Sequence, residues 1–129
     1  MINAFLVPEK TEVTARGDGY PVAIESAASR VFLVLLNITG IVEQESIELS
    51  MFGSVDGQTW PSKPLLIFPQ MFYCGETSML LDVSDDINVK LVRAHWEVNR
   101  WGRGSEQPRF EITVTLKEVP KEMLSAKAP

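Results

Sequence analysis

The stretch Val-Lys-Leu-Val-Arg-Ala-His-Trp-Glu-Val, residues 89–98, alternates apolar and polar side chains from Val92 onward. The same alternation runs through Arg-Phe-Glu-Ile-Thr-Val-Thr-Leu-Lys-Glu-Val, residues 109–119. Successive side chains of a β-strand point to opposite faces, so each segment predicts a strand with one buried and one solvated face. Such strands are typical of antiparallel sheets. We predict that the two strands pair as a hairpin, with Trp96 and Phe110 anchored in the core.

Residues 30–38 follow a different pattern, because the run Val-Phe-Leu-Val-Leu-Leu, residues 31–36, is apolar at every position. A strand with two apolar faces needs cover on both of them. The sequence therefore predicts a central strand whose second face lies under a loop of the same chain or against another chain. Phe32, Val34 and Leu36 are the candidate interface residues of this strand.

Shorter segments with strand-forming residues, bounded by turn residues, predict the rest of the fold. They are residues 3–7, 20–25, 46–55, 65–68 and 77–83. Together with the three segments above they give about eight strands, as expected for an all-β, jelly-roll-like antiparallel β-sandwich. We expect this single domain to occupy residues 1–119, followed by a short polar C-terminal tail at residues 120–129.

The totals of the chain argue against several functional classes. A length of 129 residues suits one globular domain, and the net charge of -5 leaves few cations to bind phosphate groups. Binding to nucleic acid or to anionic membranes is therefore not expected. The single cysteine, Cys74, has no partner for an intrachain disulfide, and the N-terminal residues do not have the pattern of a signal peptide. We expect a cytoplasmic protein, or part of a particle assembled in the cytoplasm.

Few residues combine the side chains that catalysis requires. His95 is the only histidine and shares its strand face with Arg93 and Glu97, but no nucleophile-elbow motif accompanies it. Glu97 and Glu111 could face one another on neighbouring strands, as the two acids of a glycosidase do, although alternation alone does not fix the register. We interpret these residues as a solvated sheet face, and we expect neither enzymatic activity nor a cofactor.

Two short polar segments admit other interpretations. Asp82, Asp85 and Asp86, with Asp56, carry oxygen ligands suited to calcium, although their spacing differs from that of an EF-hand loop. Acidic residues in this arrangement are also typical of solvated turns, and the sequence leaves both interpretations open. We interpret the tripeptide Arg-Gly-Asp at residues 16–18 as part of a glycine-containing turn.

The connection Asn-Arg-Trp-Gly-Arg-Gly-Ser-Glu-Gln-Pro, residues 99–108, is longer than a hairpin needs. Trp and Arg dominate the energetics of protein interfaces, and here Trp101 stands between Arg100 and Arg103. With Asn99, these residues are candidates for contact with a partner. The alternative is that Trp101 folds back over the end of the sandwich and covers its core.

The segment Ser-Val-Asp-Gly-Gln-Thr-Trp, residues 54–60, resembles the Ser-x-Asp-Gly-x-x-Trp turn of discoidin-like and other carbohydrate-binding β-sandwich domains. Residues 89–94 resemble a strand with a central Val-Arg that such domains carry near their end. Together with the last strand, the pattern is also similar to small phage-encoded β-sandwich proteins that decorate or complete virus particles. The resemblance covers the last two-thirds of the chain, and it implies a β-sandwich and, through the discoidin-like turn, sugar binding.

Two functions are therefore predicted. The first is a non-catalytic structural or interaction module that associates with itself or with another protein, as a component of a phage-like particle would. The second is a carbohydrate-binding domain, because exposed aromatic rings stack on sugars while polar side chains bond to their hydroxyls. The candidate sugar-binding residues are Trp60, Tyr73 and Trp101, with Asn99, Arg100 and Arg103 nearby in sequence.

Overall fold

A computed structural model of the chain describes residues 2–13, 16–41, 45–86, 88–100 and 110–120. The secondary-structure elements assigned to these residues are all β-strands, and among the residues described no helix is long and apolar enough to cross a membrane. The strands are β1 (Asn3–Val13), β2 (Gly17–Asp18), β3 (Val22–Ala23), β4 (Val31–Ile41), β5 (Glu45–Ser54), β6 (Leu66–Ile67), β7 (Gly75–Asp82), β8 (Leu91–Arg100) and β9 (Phe110–Glu118). The tail at residues 121–129 lies outside the described residues.

The strands form two antiparallel sheets, which confirms the predicted all-β sandwich. Sheet A has the strand order β1-β9-β4-β7, and sheet B has the order β2-β8-β5-β6, with β3 also paired to β8. Buried apolar side chains from both sheets make one hydrophobic core. Both predicted anchors belong to it, since Trp96 is 9% exposed and Phe110 is fully buried. The jelly-roll connection of the strands stays a prediction.

The predicted C-terminal hairpin is wrong, because its two strands lie in different sheets. Strand β8 pairs with β2, β3 and β5 in sheet B, whereas β9 pairs with β1 and β4 in sheet A. Alternation identifies the buried face of each strand but does not identify the strand that pairs with it. The chain therefore passes from sheet B to sheet A between the end of β8 and the start of β9.

Strand β4 is a central strand, as predicted, and lies between β9 and β7. However, Phe32, Val34 and Leu36 are fully buried and belong to the core between the sheets. They are therefore not surface residues, and this corrects the choice of contact face. The outward face of β4 carries the alternate residues Val31, Leu33 and Leu35, which are only partly buried.

A buried carboxylate ties the end of β9 to two other parts of the chain. Glu118 is 2% exposed and accepts hydrogen bonds from the backbone amides of Ile2 at 3.0 Å and of Ala28 and Ser29 at 3.1 Å. These bonds, with the Ile2 amide first, hold the pKa of Glu118 below its ordinary value of 4.5. Three donors replace the water that the charge loses, so Glu118 stabilises the fold as an anion.

Candidate functional site

A turn after β5 builds one wall of a cleft on the outer face of sheet B. The Ser54 hydroxyl donates to the Thr59 carbonyl at 2.7 Å and accepts from the Gly57 amide at 2.8 Å. The Asp56 carboxylate accepts from the Thr59 and Gln58 amides at 2.8 Å, and these bonds lower the pKa of Asp56. Gly57 has a φ of 80°, which a glycine adopts without steric cost. The predicted Asp-Gly turn thus has a hydrogen-bonded frame.

The turn leads to Trp60, whose ring lies over a cation on the neighbouring strand β8. The guanidinium carbon of Arg93 is 4.1 Å from the centre of the Trp60 ring, close enough for a cation–π interaction. The Nε atom of Arg93 lies 3.6 Å from Oδ1 of Asp18 on β2. This Nε is buried and has no hydrogen-bond partner among the described residues. The ion pair with Asp18 therefore offsets the cost of removing the Nε charge from water.

His95, two residues along β8, has a carboxylate at each ring nitrogen. Its Nδ1 is 2.9 Å from Oδ1 of Asp18, and its Nε2 is 3.5 Å from Oε2 of Glu97. The edge of Phe52 packs against the imidazole, with ring centroids 5.7 Å apart at 90°. A Ser-His-acid relay needs a hydroxyl at the second nitrogen, where this histidine faces Glu97. The arrangement is suited to fixing the ring and to binding polar groups.

Seven residues line the resulting depression, which has a volume of about 230 Å³ and is called the Trp60 cleft below. They are Asp18, Phe52, Trp60, Pro61, Ser62, Arg93 and His95. The cleft thus combines an aromatic wall, an apolar floor and both signs of charge. Its volume is below that of most small-molecule sites, so it fits one small group such as a single sugar ring.

The two glutamates considered as a catalytic pair do not lie opposite one another. Glu97 lies opposite Glu48 in sheet B, while Glu111 lies in sheet A, where its Oε1 accepts from the Thr39 hydroxyl at 2.8 Å. The two glutamates therefore lie in different sheets, and the interpretation of Glu97 as part of a polar sheet face stays a prediction.

The aspartates considered as calcium ligands bond within their own turns. The Asp82 carboxylate accepts from the Ser84 hydroxyl at 2.6 Å and from its amide at 2.9 Å, which lowers the pKa of Asp82. Asp56 bonds within the turn after β5, as described above. Within the parts of the chain that the structure describes, no three His, Cys, Asp or Glu side chains are grouped as metal ligands would be.

The structure places the other candidate binding residues apart from one another. Tyr73 is 80% exposed in the segment before β7, where its ring contacts Phe72 at a centroid distance of 6.4 Å, and it does not line the Trp60 cleft. Asn99 and Arg100 are the last two residues of β8. Their backbones lie opposite Ser46 and Glu45 of β5, respectively. Trp101 and Arg103 lie outside the described residues. Of the predicted sugar-binding residues whose side chains the structure describes, Trp60 lines this cleft and Tyr73 does not.

The outer face of sheet A carries a second, apolar surface, which we call the sheet A patch. Leu33 lies directly opposite Leu80 of β7, and Leu80 is 48% exposed. Leu35 is next to Thr115 of β9, which in turn lies opposite Phe5 of β1, a residue that is 47% exposed. The patch consists of Phe5, Val31, Leu33, Leu35 and Leu80. Phe5 and Leu35 also line an open groove of about 330 Å³ at one end of the patch.

Two residues of these surfaces were not predicted from the sequence as site residues. Asp18 belongs to the tripeptide interpreted as a turn, but Gly17–Asp18 is a short strand that pairs with Trp96 and His95 of β8. No sequence pattern indicates so short a strand. Leu80 was detectable, because it is apolar at a position whose alternation neighbours Ser78 and Asp82 are polar. An apolar residue on the solvated side of a strand is the signal of an exposed patch.

Comparison with known proteins adds no relative to these observations: no family model matches the chain, and neither the curated proteins nor the solved structures include a match.

Proposed function

We propose that this chain is a non-catalytic interaction module that associates with itself through sheet A. The observation that carries the proposal is the sheet A patch. Sheet A is apolar on both faces along β4, and the described residues leave its outer face partly open to solvent. Contiguous exposed apolar surface on a small domain is typical of a contact site.

The sizes of the exposed side chains set the strength of this association. Burying the exposed half of Leu80 or of Phe5 contributes about 1 kcal/mol for each side chain. A two-fold contact uses every residue twice, which doubles that gain. Part of it offsets the lost freedom of the second molecule and the repulsion between two chains of charge -5. A micromolar dissociation constant requires about 8 kcal/mol net, more than these two side chains supply, so we expect a weak, reversible dimer that also buries other groups along sheet A and forms at high micromolar concentration.

Sedimentation velocity over a range of concentrations tests the proposal. The wild-type protein should shift from monomer to dimer as its concentration rises, and Leu80→Asp should remain monomeric because it places a charge in the patch. Ile67→Asp is the matched control, since Ile67 is 62% exposed on a strand of sheet B. A wild-type protein that stays monomeric at high micromolar concentration would contradict self-association, and equal effects of the two variants would contradict the role of sheet A.

The Trp60 cleft favours a second candidate function, the binding of a carbohydrate. Protein sites for sugars combine an aromatic ring with polar groups that converge on the hydroxyls. Trp60 supplies the ring here, while Asp18, Arg93 and His95 supply acceptors and donors in one cleft. The positive and negative groups lie side by side, which suits a neutral polyol better than an ion.

Titration with a panel of monosaccharides and disaccharides, followed by tryptophan fluorescence, tests this second candidate. Asp18→Ala should abolish any response, because it removes the acceptor shared by Arg93 and His95, whereas Glu76→Ala on β7 should leave it unchanged. No change in fluorescence with any sugar would contradict carbohydrate binding at the Trp60 cleft.

A further inference from the structure

The four edges of the two described sheets differ in how well they are protected against pairing with another strand. An edge strand exposes unpaired backbone amides and carbonyls, and proteins protect such edges with prolines, bulges, lysines or very short strands. Strand β1 has two register shifts, a proline at position 8 and a φ of 57° at Lys10. Strands β2, β3 and β6 have two residues each. Three of the four edges are thus protected.

Strand β7 has none of these protections. Its eight residues, Gly75–Asp82, pair with β4 in one unbroken register, and they include neither proline nor lysine. It ends the strand order of sheet A, so no described residue pairs with its other side. This edge is therefore a regular, unpaired template of the kind that accepts a further strand.

The hydrogen-bond pattern identifies which backbone groups face the free edge. The Val83 amide donates to the Arg30 carbonyl at 2.9 Å, and these two residues continue the β4–β7 register. Hydrogen-bonded pairs alternate along antiparallel strands, so the odd-numbered residues of β7 bond to β4. The amides and carbonyls of the even-numbered residues point the other way. These residues are Glu76, Ser78, Leu80 and Asp82.

We propose that two copies of this chain join by antiparallel pairing of β7 with β7, in a register centred on Leu80. This inference deepens the proposed self-association and rests on it, but it uses only the Leu33 and Leu80 side of the sheet A patch, since Phe5 lies on β1 at the opposite edge of the sheet. The two four-stranded sheets then become one sheet of eight strands. Ser78 lies opposite Asp82 of the other copy, and about six backbone hydrogen bonds cross the junction.

Side-chain matching selects this register over its neighbours. Centring on Leu80 places the two leucines against each other, next to Leu33 of each copy, and it places Met79 opposite Leu81 on the inner side. Centring on Met79 would oppose Glu76 to Asp82 twice, and like charges directly across a strand pair are destabilising. Centring on Ser78 would oppose Leu80 to Glu76. Centring on Leu81 would oppose Leu80 to Asp82. Of these four registers, only the one centred on Leu80 matches apolar residues on both faces and places no acid directly opposite another acid or a leucine.

Cysteine cross-linking tests the register directly. In a Cys74→Ser background, Leu80→Cys should form an intermolecular disulfide under mild oxidation, because paired strands hold facing Cα atoms within the range that a disulfide spans. Ser78→Cys is the matched control. In this register residue 78 of one copy faces residue 82 of the other, so the two cysteines are four residues apart along the strands, a distance of about 14 Å. A disulfide at position 78 and none at position 80 would overturn the register.

Proline substitution tests the edge itself. Leu80→Pro and Ser78→Pro each remove an amide that faces the free edge and makes no bond to β4, so a cooperative unfolding transition should persist. Each should weaken dimerisation by about tenfold or more. Dimers that survive both substitutions but are lost in Leu80→Asp would overturn edge pairing and leave self-association through sheet A standing.

Amide hydrogen exchange distinguishes a second copy from cover within the chain. The amides of Ser78 and Leu80 should exchange quickly in dilute protein and become protected as the concentration rises. Protection that is the same at every concentration would overturn the proposal, because the edge would then be covered within the monomer. A wild-type protein that never dimerises would instead contradict the proposed function on which this inference rests.

Discussion

The outer faces of the two sheets use opposite chemistry. On sheet B, His95 and Arg93 share the Asp18 carboxylate, and Glu97 lies near Arg16 at 3.6 Å. The outward face of sheet A includes Leu33, Leu35 and Leu80, and its buried charge, Glu118, lies on the inward face at the end of β9. Polar groups that bond to one another gain little from a second molecule, whereas exposed leucines do gain from it. The difference points to sheet A as the contact surface.

The largest expected effect separates the two faces of sheet A. Leu36→Ala should cost about 2–5 kcal/mol of unfolding free energy, because Leu36 is fully buried and its truncation leaves a cavity. Leu80→Ala, on the outward face, should cost about 0.5 kcal/mol in dilute monomer. Urea denaturation of both variants measures the difference. Similar costs in the monomer would show that the outer face is covered within the chain, against the distinction drawn here.

Removing the buried charge of sheet A should have the next largest effect. Glu118→Gln replaces an acceptor oxygen with an NH₂ group that faces backbone amides, and it should cost about 1–3 kcal/mol at neutral pH. The folded-state pKa of Glu118 lies below the ordinary value of 4.5, so its stabilisation is present above that value and is lost as the pH falls through the folded pKa.

Denaturation at several pH values checks this behaviour. The gap in stability between the wild-type protein and Glu118→Gln should be full at neutral pH and should narrow in acid below about pH 4.5, where the unfolded glutamate begins to bind its proton. Glu76→Gln, at an exposed position of β7, is the control and should show no such narrowing. A constant gap at all pH values would show that the cost comes from packing and not from the charge.

Much of the fold follows from the sequence because alternation reports burial. The buried face of β9 and the central position of β4 were both predicted from the order of apolar residues. Strand pairing was not predictable in this way, since every antiparallel partner satisfies the same alternation. That is why the segment joining β8 to β9 was interpreted as a hairpin loop although it crosses between sheets.

The site was less predictable than the fold. Trp60 was selected from the Asp-Gly turn that precedes it, but its contact with Arg93 depends on where the turn places it over β8. Asp18 escaped detection because a strand of two residues has no period to detect. Glu118 carried a usable signal, since it is a charged residue at a buried position of the alternation in β9. Charge at a buried position indicates a hydrogen-bonded clamp or a site.

A smaller effect is expected for the turn that supports the Trp60 cleft. Gly57→Ala should cost about 1 kcal/mol, because an alanine is strained at a φ of 80°. The nearest atom to the added methyl group is a Leu91 carbon at 3.5 Å, an ordinary contact, so the cost is conformational. Gln58→Ala is the neighbouring control and should be close to neutral. Equal stability of Gly57→Ala and the wild-type protein in thermal unfolding would contradict the strained turn.

The smallest expected effect is the interaction energy between Trp60 and Arg93. It measures how strongly exposed side chains of sheet B bind one another. A double-mutant cycle with Trp60→Leu and Arg93→Lys should give a coupling of about 0.5–1 kcal/mol, since lysine keeps the charge but loses the planar group that stacks on the indole. Added salt should weaken the ion pair with Asp18 more than this coupling, because surface ion pairs are screened and stacking depends on contact. A coupling of zero would mean that Arg93 does not hold the Trp60 ring. That result would favour carbohydrate binding at the Trp60 cleft and would count against a sheet B surface whose groups bind only one another.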